Sequence, residues 1–247
     1  MRQSILDMCK MSNQFRVQIE QLGIVIQEKQ LQTFEAYYRT LIDWNQRMNL
    51  TAITNQTEVY IKHFYDSLTL ANHVDISSIQ SLADIGSGAG FPSIPLKIMF
   101  PHLNVTIIDS LKKRIHFLES LVEILSLKDV QCVHGRAEDT ARDSRYRDSF
   151  HLVTARAVAR LPVLNEFCLP FTKENGIFIA MKGSDYVHEV EEAQKSFKLL
   201  NAKVENIHVF TLPEENGQRA NIVIRKIGPT PKMYPRKAGT PLKQPLI

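Results

Sequence analysis

The sequence predicts an α/β protein: a helical N-terminal extension, then a doubly wound, largely parallel sheet that ends in an antiparallel hairpin. Three observations predict it. Apolar residues in the first ~75 positions recur at helical spacing. From about Ser78, short strand-like runs alternate with helical patterns. The last two runs are joined by a loop too short to hold a crossover helix. The boundaries that follow are 1–77 for the extension, 78–228 for the sheet domain and 229–247 for a C-terminal tail.

Leu31, Phe34, Tyr38, Leu41 and Met48 fall at three- and four-residue steps with one seven-residue gap, as an amphipathic helix requires. Ile61, Phe64, Leu68 and Ala71 repeat the pattern after the turn-like Thr54-Asn55-Gln56-Thr57, with Asn55 as N-cap and Glu58 three residues on. Trp44 and the phenylalanines at helical spacing are assigned to core. Leu82–Gly86 and Val105–Asp109 then read as strands. Leu111, Ile115, Leu118, Val122 and Leu125 mark a helix with Ser110 as its N-cap. Val130–Val133, Phe150–Thr154 and Gly176–Met181 are three further strands, and Val187, Val190, Ala193 and Phe197 make one helix face. Val204–Leu212 and Ala220–Ile227 form the closing hairpin across Pro213–Arg219.

The most informative stretch is Asp84-Ile85-Gly86-Ser87-Gly88-Ala89-Gly90-Phe91-Pro92, a strand that breaks into three alternate glycines ahead of a helix. Such a loop turns sharply, lets a ligand lie against bare main chain, and leaves N–H groups free at the helix start. Asp109 closes the next strand, 23 residues after Gly86, where a strand-end acid reaches a ribose hydroxyl pair. The alternative is an ordinary strand-to-helix turn. Dinucleotide sites favour G-x-G-x-x-G; here the order is G-x-G-x-G, and Asp84 suits an ammonium group better than a pyrophosphate. Both departures point to S-adenosylmethionine as cofactor. With five parallel units and a terminal hairpin, the pattern is that of a Rossmann-like class I S-adenosylmethionine-dependent methyltransferase.

Absent motifs narrow the acceptor atom. Thr154-Ala155-Arg156-Ala157 stands where an exocyclic-amine methyltransferase usually carries an Asp/Asn-Pro-Pro-aromatic loop, and no cysteine follows a proline, as carbon-5 chemistry commonly uses. What remains is an acceptor that is already nucleophilic. Guanine N7 has a free lone pair and no proton, so transfer to it needs positioning and desolvation but no general base. No catalytic acid or base is assigned. Arg156 and Lys182, at the ends of strands four and five, are positioning candidates, Arg156 for cofactor or base and Lys182 for phosphate. A surface salt bridge competes for Arg156. Ala137 and Glu138, after strand three, sit where this fold meets the adenine ring; a helix-capping Glu138 competes. Lys62 and His63 are candidates for the substrate side, although Lys62 and Asp66 could instead pair at i,i+4. His63 has no metal-spaced partner, and no metal site is assigned.

The apolar fraction of 44% suffices for a core, and no run approaches the ~18 residues of a membrane span. Cys9, Cys132 and Cys168 form no C-x-x-C pair, so a cytoplasmic protein with reduced thiols is expected. A monomer is the expected state, although no sequence signal sets it. The net charge is +4, yet from Lys226 to the end there are five basic residues, Lys226, Lys232, Arg236, Lys237 and Lys243, and no acid, leaving −1 for the rest. Five of the eleven prolines share that tail, which excludes a helix or central strand. It reads either as a solvated arm or as an RNA-contacting arm through Lys232, Arg236, Lys237 and Lys243.

These residues resemble the bacterial glucose-inhibited division protein B family, also called RsmG. The resemblance runs from about residue 30 to 245. Besides the glycine loop, it is carried by Trp44-Asn45, Met48-Asn49-Leu50-Thr51, Lys62-His63-Phe64-Tyr65-Asp66-Ser67-Leu68, Gly135-Arg136-Ala137-Glu138, Ala155-Arg156-Ala157 and Tyr234-Pro235-Arg236-Lys237-Ala238-Gly239-Thr240-Pro241. It implies methyl transfer to a guanine N7 of 16S ribosomal RNA in the small subunit, with cofactor contacts at Gly86, Phe91, Ala137, Glu138 and Arg156. Asp84, Gly88, Gly90 and Asp109 join that set from the loop argument. Ser93 stands where the family often has glycine, and the first ~13 residues look like an added leader. A small-molecule methyltransferase and a non-catalytic ribosome-assembly factor on the same fold are the competing readings.

Overall fold

The computed structural model describes residues 2–215 and 217–247, with side chains described from residue 11 onward except Glu215. Cys9 and Asn216 of the closing loop therefore lie outside what can be compared.

Helix α1 (Arg2–Gln21) absorbs the expected leader and buries Phe15 and Ile19. Helix α2 (Glu28–Met48) faces the core with Leu31, Phe34, Tyr37 and Leu41. The buried ring is thus Tyr37 rather than the expected Tyr38, whose hydroxyl instead donates to the Thr54 carbonyl at 3.2 Å. Residues 56–72 form a helical run, α3, that passes through a π turn at Tyr60–Tyr65 and ends in a 3-10 turn. Asn55 caps it as expected, its Oδ1 accepting from Glu58 N. Lys62 pairs with Glu58 and not with Asp66.

The sheet comprises β1 (Ser81–Ile85), β2 (Asn104–Asp109), β3 (Val130–His134), β4 (Phe150–Arg156), β5 (Thr172–Lys182), β6 (Ala202–Thr211) and β7 (Gln218–Lys226). Their order is 3-2-1-4-5-7-6, parallel through β5, with β7 antiparallel to both β5 and β6. Because side chains alternate along a strand, Ile107 and Ile108 serve opposite cores. Leu82, Ile107, Leu152 and Ile179 join the α1–α3 side, while Ala83, Ile108, Val153 and Phe178 join the other. The extension and the sheet therefore share one core. The strand order reverses between β1 and β4, and in doubly wound sheets that crevice at the carboxyl ends is where ligands bind.

Two expectations about termini fail. Helix α4 (Lys112–Ile124) is capped from Leu111 rather than Ser110, because the Asp109 carboxylate already accepts from Leu111 N at 2.9 Å. The tail is neither a free arm nor devoid of helix. It folds back as a strap with Thr230, Tyr234, Pro241 and Leu246 buried, and Thr240–Lys243 make one helical turn. Pro241 lies in that first turn, where its missing N–H costs nothing.

Candidate functional site

The glycine loop holds its shape for a different reason at each glycine. Gly86 has φ +71, and a Cβ there would lie 2.7 Å from a Val158 methyl carbon. Gly88 has φ +63 and open space around it; its N–H donates to Asp109 Oδ2 at 3.2 Å. Gly90 has φ +98 and lies against the Tyr37 hydroxyl, which donates to the Ala89 carbonyl at 2.5 Å. The next helix, Ser93–Met99, does not offer a free N-terminus: Ser93 N donates to Asp84 Oδ2 at 3.1 Å.

A cavity of about 390 Å³ opens at the ends of β1–β4. Of the expected cofactor residues, Gly86, Asp109, Ala137 and Glu138 line it, together with Ile85, Ile108, Val158, Phe167 and Leu242. Gly88 contributes only through its bond to Asp109. Asp84 departs from expectation. It is completely buried, so no ammonium group reaches it as the loop stands. Burial pushes its carboxyl up to about 7 against the opposing bond from Ser93. Its Oδ1 and the hydroxyls of Ser87 and Ser93 are buried without partners. Phe91 also departs: it is 4% exposed and stacks between Tyr37 (5.3 Å) and His63 (4.5 Å), outside the cavity lining. Gly90 is likewise buried behind the loop.

A second cavity of about 410 Å³ adjoins the first and shares Ala157 with it. Lys62, His63, Asp66, Arg156, Lys182 and Arg219 line it. Arg156 belongs to this cavity and not to the first. Its Nη1 donates to the Lys62 carbonyl and to Asp66 Oδ2, both at 3.0 Å, its Nη2 lies 3.2 Å from His63 Nδ1, and its guanidinium sits 4.9 Å above the Phe91 ring. It is thus in an ion pair, but a buried one that leaves Nε and one Nη2 proton uncommitted. Burial, then Arg156, press His63 down to about 3, so the imidazole is neutral at ordinary pH. Nδ1 lies 3.2 Å from Arg156 Nη2 and 3.1 Å from the Lys62 carbonyl oxygen, and Nε2 lies 3.0 Å from Thr51 Oγ1. Burial raises Asp66 while Arg156 and Arg219 oppose it. Lys182 pairs with Glu189 at 2.5 Å and donates to the Ala159 carbonyl at 2.7 Å.

Among the expected RNA-contacting residues of the tail, Lys232, Lys237 and Lys243 are exposed. Arg236 is a correction: its guanidinium is locked onto the fully buried Glu166, with Nη2 2.7 Å from Oε2 and Nε 3.0 Å from Oε1. Sequence reasoning missed Arg219, Asp66 as the partner of Arg156, Tyr37, Val158 and Leu242. Arg219 and Leu242 come from distant segments, and no local spacing links them to the glycine loop.

The first cavity fits an adenosine, and Arg114 and Arg136 also line it. Its carboxylates, Asp109 and Glu138, are acceptors for hydroxyl and amino groups, and each retains lone pairs beyond the bonds described. Its apolar side chains give a ring a dry surface.

Comparisons with known proteins point the same way. A family profile described as GidB, rRNA small subunit methyltransferase G, matches residues 30–219. The chain is 54% identical over 233 residues to a protein of Halalkalibacterium halodurans named ribosomal RNA small subunit methyltransferase G, covering 94% of this chain and 98% of that one. A Bacillus subtilis protein of the same name is 50% identical over 233 residues, again 94% and 98% of the two chains. Among solved structures, an O-methyltransferase from Bacillus cereus in complex with SAH superposes with TM-score 0.53 at 15% identity, covering 77% of this chain and 90% of that chain, a likeness of fold.

Proposed function

The chain belongs to the GidB family, rRNA small subunit methyltransferase G, and from that premise we propose that it transfers a methyl group from S-adenosylmethionine to N7 of a guanine in 16S ribosomal RNA. The observation that carries this reading is the meeting of two cavities at Ala157, one fitted to a nucleoside and one lined with charged and hydrogen-bonding groups. S-adenosylmethionine supplies, when bound, a methyl group made electrophilic by its sulfonium.

The rest is the work of this chain's own residues. Asp109 takes ribose hydroxyls with the acceptor capacity left by Gly88, Leu111 and Arg114. Glu138 accepts from the adenine amino group, and Ala137 offers its main chain beside the ring. In the second cavity Arg156, pinned by Asp66 and the Lys62 carbonyl, presents its uncommitted N–H edge to the O6 side of the base. Arg219 offers its charge to phosphate around it, while Lys182 spends its own on Glu189. The proton acceptors of this cavity are engaged or weak: Asp66 pairs with Arg156 and Arg219, Glu189 pairs with Lys182, and His63 is pressed down to about 3. A site whose carboxylates are held in ion pairs suits N7, which has no proton to lose, better than an exocyclic amine. The glycine loop and Arg156 position the partners, and the cavity walls exclude water.

Lys62, His63, Lys232, Lys237 and Lys243 are proposed to face the RNA. Among the described residues no helix is long and apolar enough to cross a membrane; we propose that the chain acts on the small subunit in the cytoplasm, as a monomer. Mapping 7-methylguanosine by cleavage in ribosomal RNA from cells with and without the chain tests it. One 16S site is expected to lose its modification; an unchanged map overturns the proposal.

A further inference from the structure

We propose that the C-terminal strap forms one wall of the cofactor cavity, with Leu242 packing on the bound nucleoside and the Gly239 N–H holding the Glu138 carboxylate in its receiving position. This rests on the assignment of the first cavity to S-adenosylmethionine.

The strap is built to reach that cavity and stay there. Lys226, fully buried at the end of β7, donates to Asp148 Oδ1 at 2.9 Å and Thr230 Oγ1 at 2.6 Å, fixing the first residues of the strap. Arg147 then donates to the carbonyls of Thr230 (3.0 Å) and Tyr234 (2.9 Å), and Arg142 to that of Pro235 (2.6 Å). Arg236 closes on Glu166. These bonds satisfy carbonyls that the five prolines cannot pair through a regular ladder. Buried charges hold only when paired and hydrogen-bonded, so the path is tightly specified as far as Arg236.

Two contacts then lead into the cavity. Gly239 N donates to Glu138 Oε1 at 2.8 Å, and Glu138 is 3% exposed, so the strap selects the direction of a carboxylate that sits on a single helical turn, Ala137–Thr140. Leu242 lines the cavity yet is 58% exposed. A leucine left at the mouth of a cavity recovers its burial when a flat apolar ring covers it. Ligand and strap thus stabilise one another, and the coupling is reciprocal: what tightens the strap tightens binding, and binding orders the strap.

The test uses the full chain and S-adenosylhomocysteine, titrated by calorimetry, with amide hydrogen exchange read at residues 237–243. The unaltered chain is expected to bind, and its Gly239 amide to exchange more slowly when it does. Leu242→Ala is expected to raise the Kd about fivefold at unchanged Tm, since the side chain is mostly exposed without ligand, and Leu242→Met to restore it. An unaltered Kd in Leu242→Ala, or an exchange rate at Gly239 indifferent to ligand, overturns the proposal and leaves the cofactor assignment standing. Absence of binding by the unaltered chain overturns both.

Discussion

Gly86 and Gly88 carry the same backbone sign for different physical reasons, and single substitutions separate them. A methyl at Gly86 meets Val158 at 2.7 Å in addition to the strain of φ +71, whereas at Gly88 only the φ of +63 resists. Gly86→Ala is therefore expected to abolish measurable S-adenosylmethionine binding, while Gly88→Asn, a residue that tolerates the left-handed region, keeps it within about tenfold; equilibrium dialysis with labelled cofactor reads both. Asp84 makes a prediction in pH. Its carboxyl is raised to about 7 when folded and returns to the ordinary range when unfolded. Between those values the folded state holds the extra proton. This contribution to stability is thus fully present at acid pH and is lost as pH rises toward about 7. Each unit of the shift is worth about 1.4 kcal/mol. Chemical denaturation of the unaltered chain and of Asp84→Asn at several pH values is expected to show the difference between them falling by a few kcal/mol from acid to neutral pH. A pH-independent difference contradicts the assignment. The two acids also mark what could be read early. Asp109 ends a strand beside the loop, so spacing located it; Asp84 precedes the same loop, but its side chain turns to the Ser93 N–H, and spacing carries no such information.

At the scale of elements, the extension acts as the buttress of the glycine loop. Tyr37 on α2 and His63 on α3 close on Phe91 from two sides, and the Tyr37 hydroxyl holds the Ala89 carbonyl. Helical period made α2 legible, but adjacent tyrosines at 37 and 38 both approximate it, and only the loop opposite decides which ring is buried. Tyr37→Phe strands that buried carbonyl and is expected to cost about 1–3 kcal/mol, seen as a lowered Tm. Phe91→Ala removes the ring on which Tyr37, His63 and Arg156 converge and is expected to cost about 3–5 kcal/mol. It should also weaken RNA methylation more than stability alone explains, because Arg156 loses its support. The parallel strands were legible because each is a short apolar run bounded by turn residues. The hairpin was legible because its loop is short. The π turn in α3 was not, since residues 56–72 keep a helical period throughout.

At the scale of the whole molecule, the charge of the tail divides into two kinds that composition treats alike. Lys232, Lys237 and Lys243 are exposed, while Arg236 spends its charge on the fully buried Glu166. Composition counts four cations of equal standing; only the fold tells a solvated one from a paired one. Exposed cations beside an anionic polymer act by releasing counterions, and each contributes to the slope of log affinity against log salt. Neutralising the three lysines together is therefore expected to weaken binding to 16S RNA fragments and to lower that slope by about 2–3, with Tm unchanged. Arg236→Ala is expected to do the reverse. It leaves Glu166 uncompensated in the interior, costs about 3–5 kcal/mol, lowers Tm sharply, and leaves the salt slope of the protein that remains folded as it was. Nitrocellulose-filter titrations across a salt series, run beside thermal unfolding, read both quantities on the same samples. A flat salt response in the triple lysine variant removes the tail from the RNA surface. A salt slope reduced by Arg236→Ala at full thermal stability shows instead that its pair with Glu166 opens to meet phosphate.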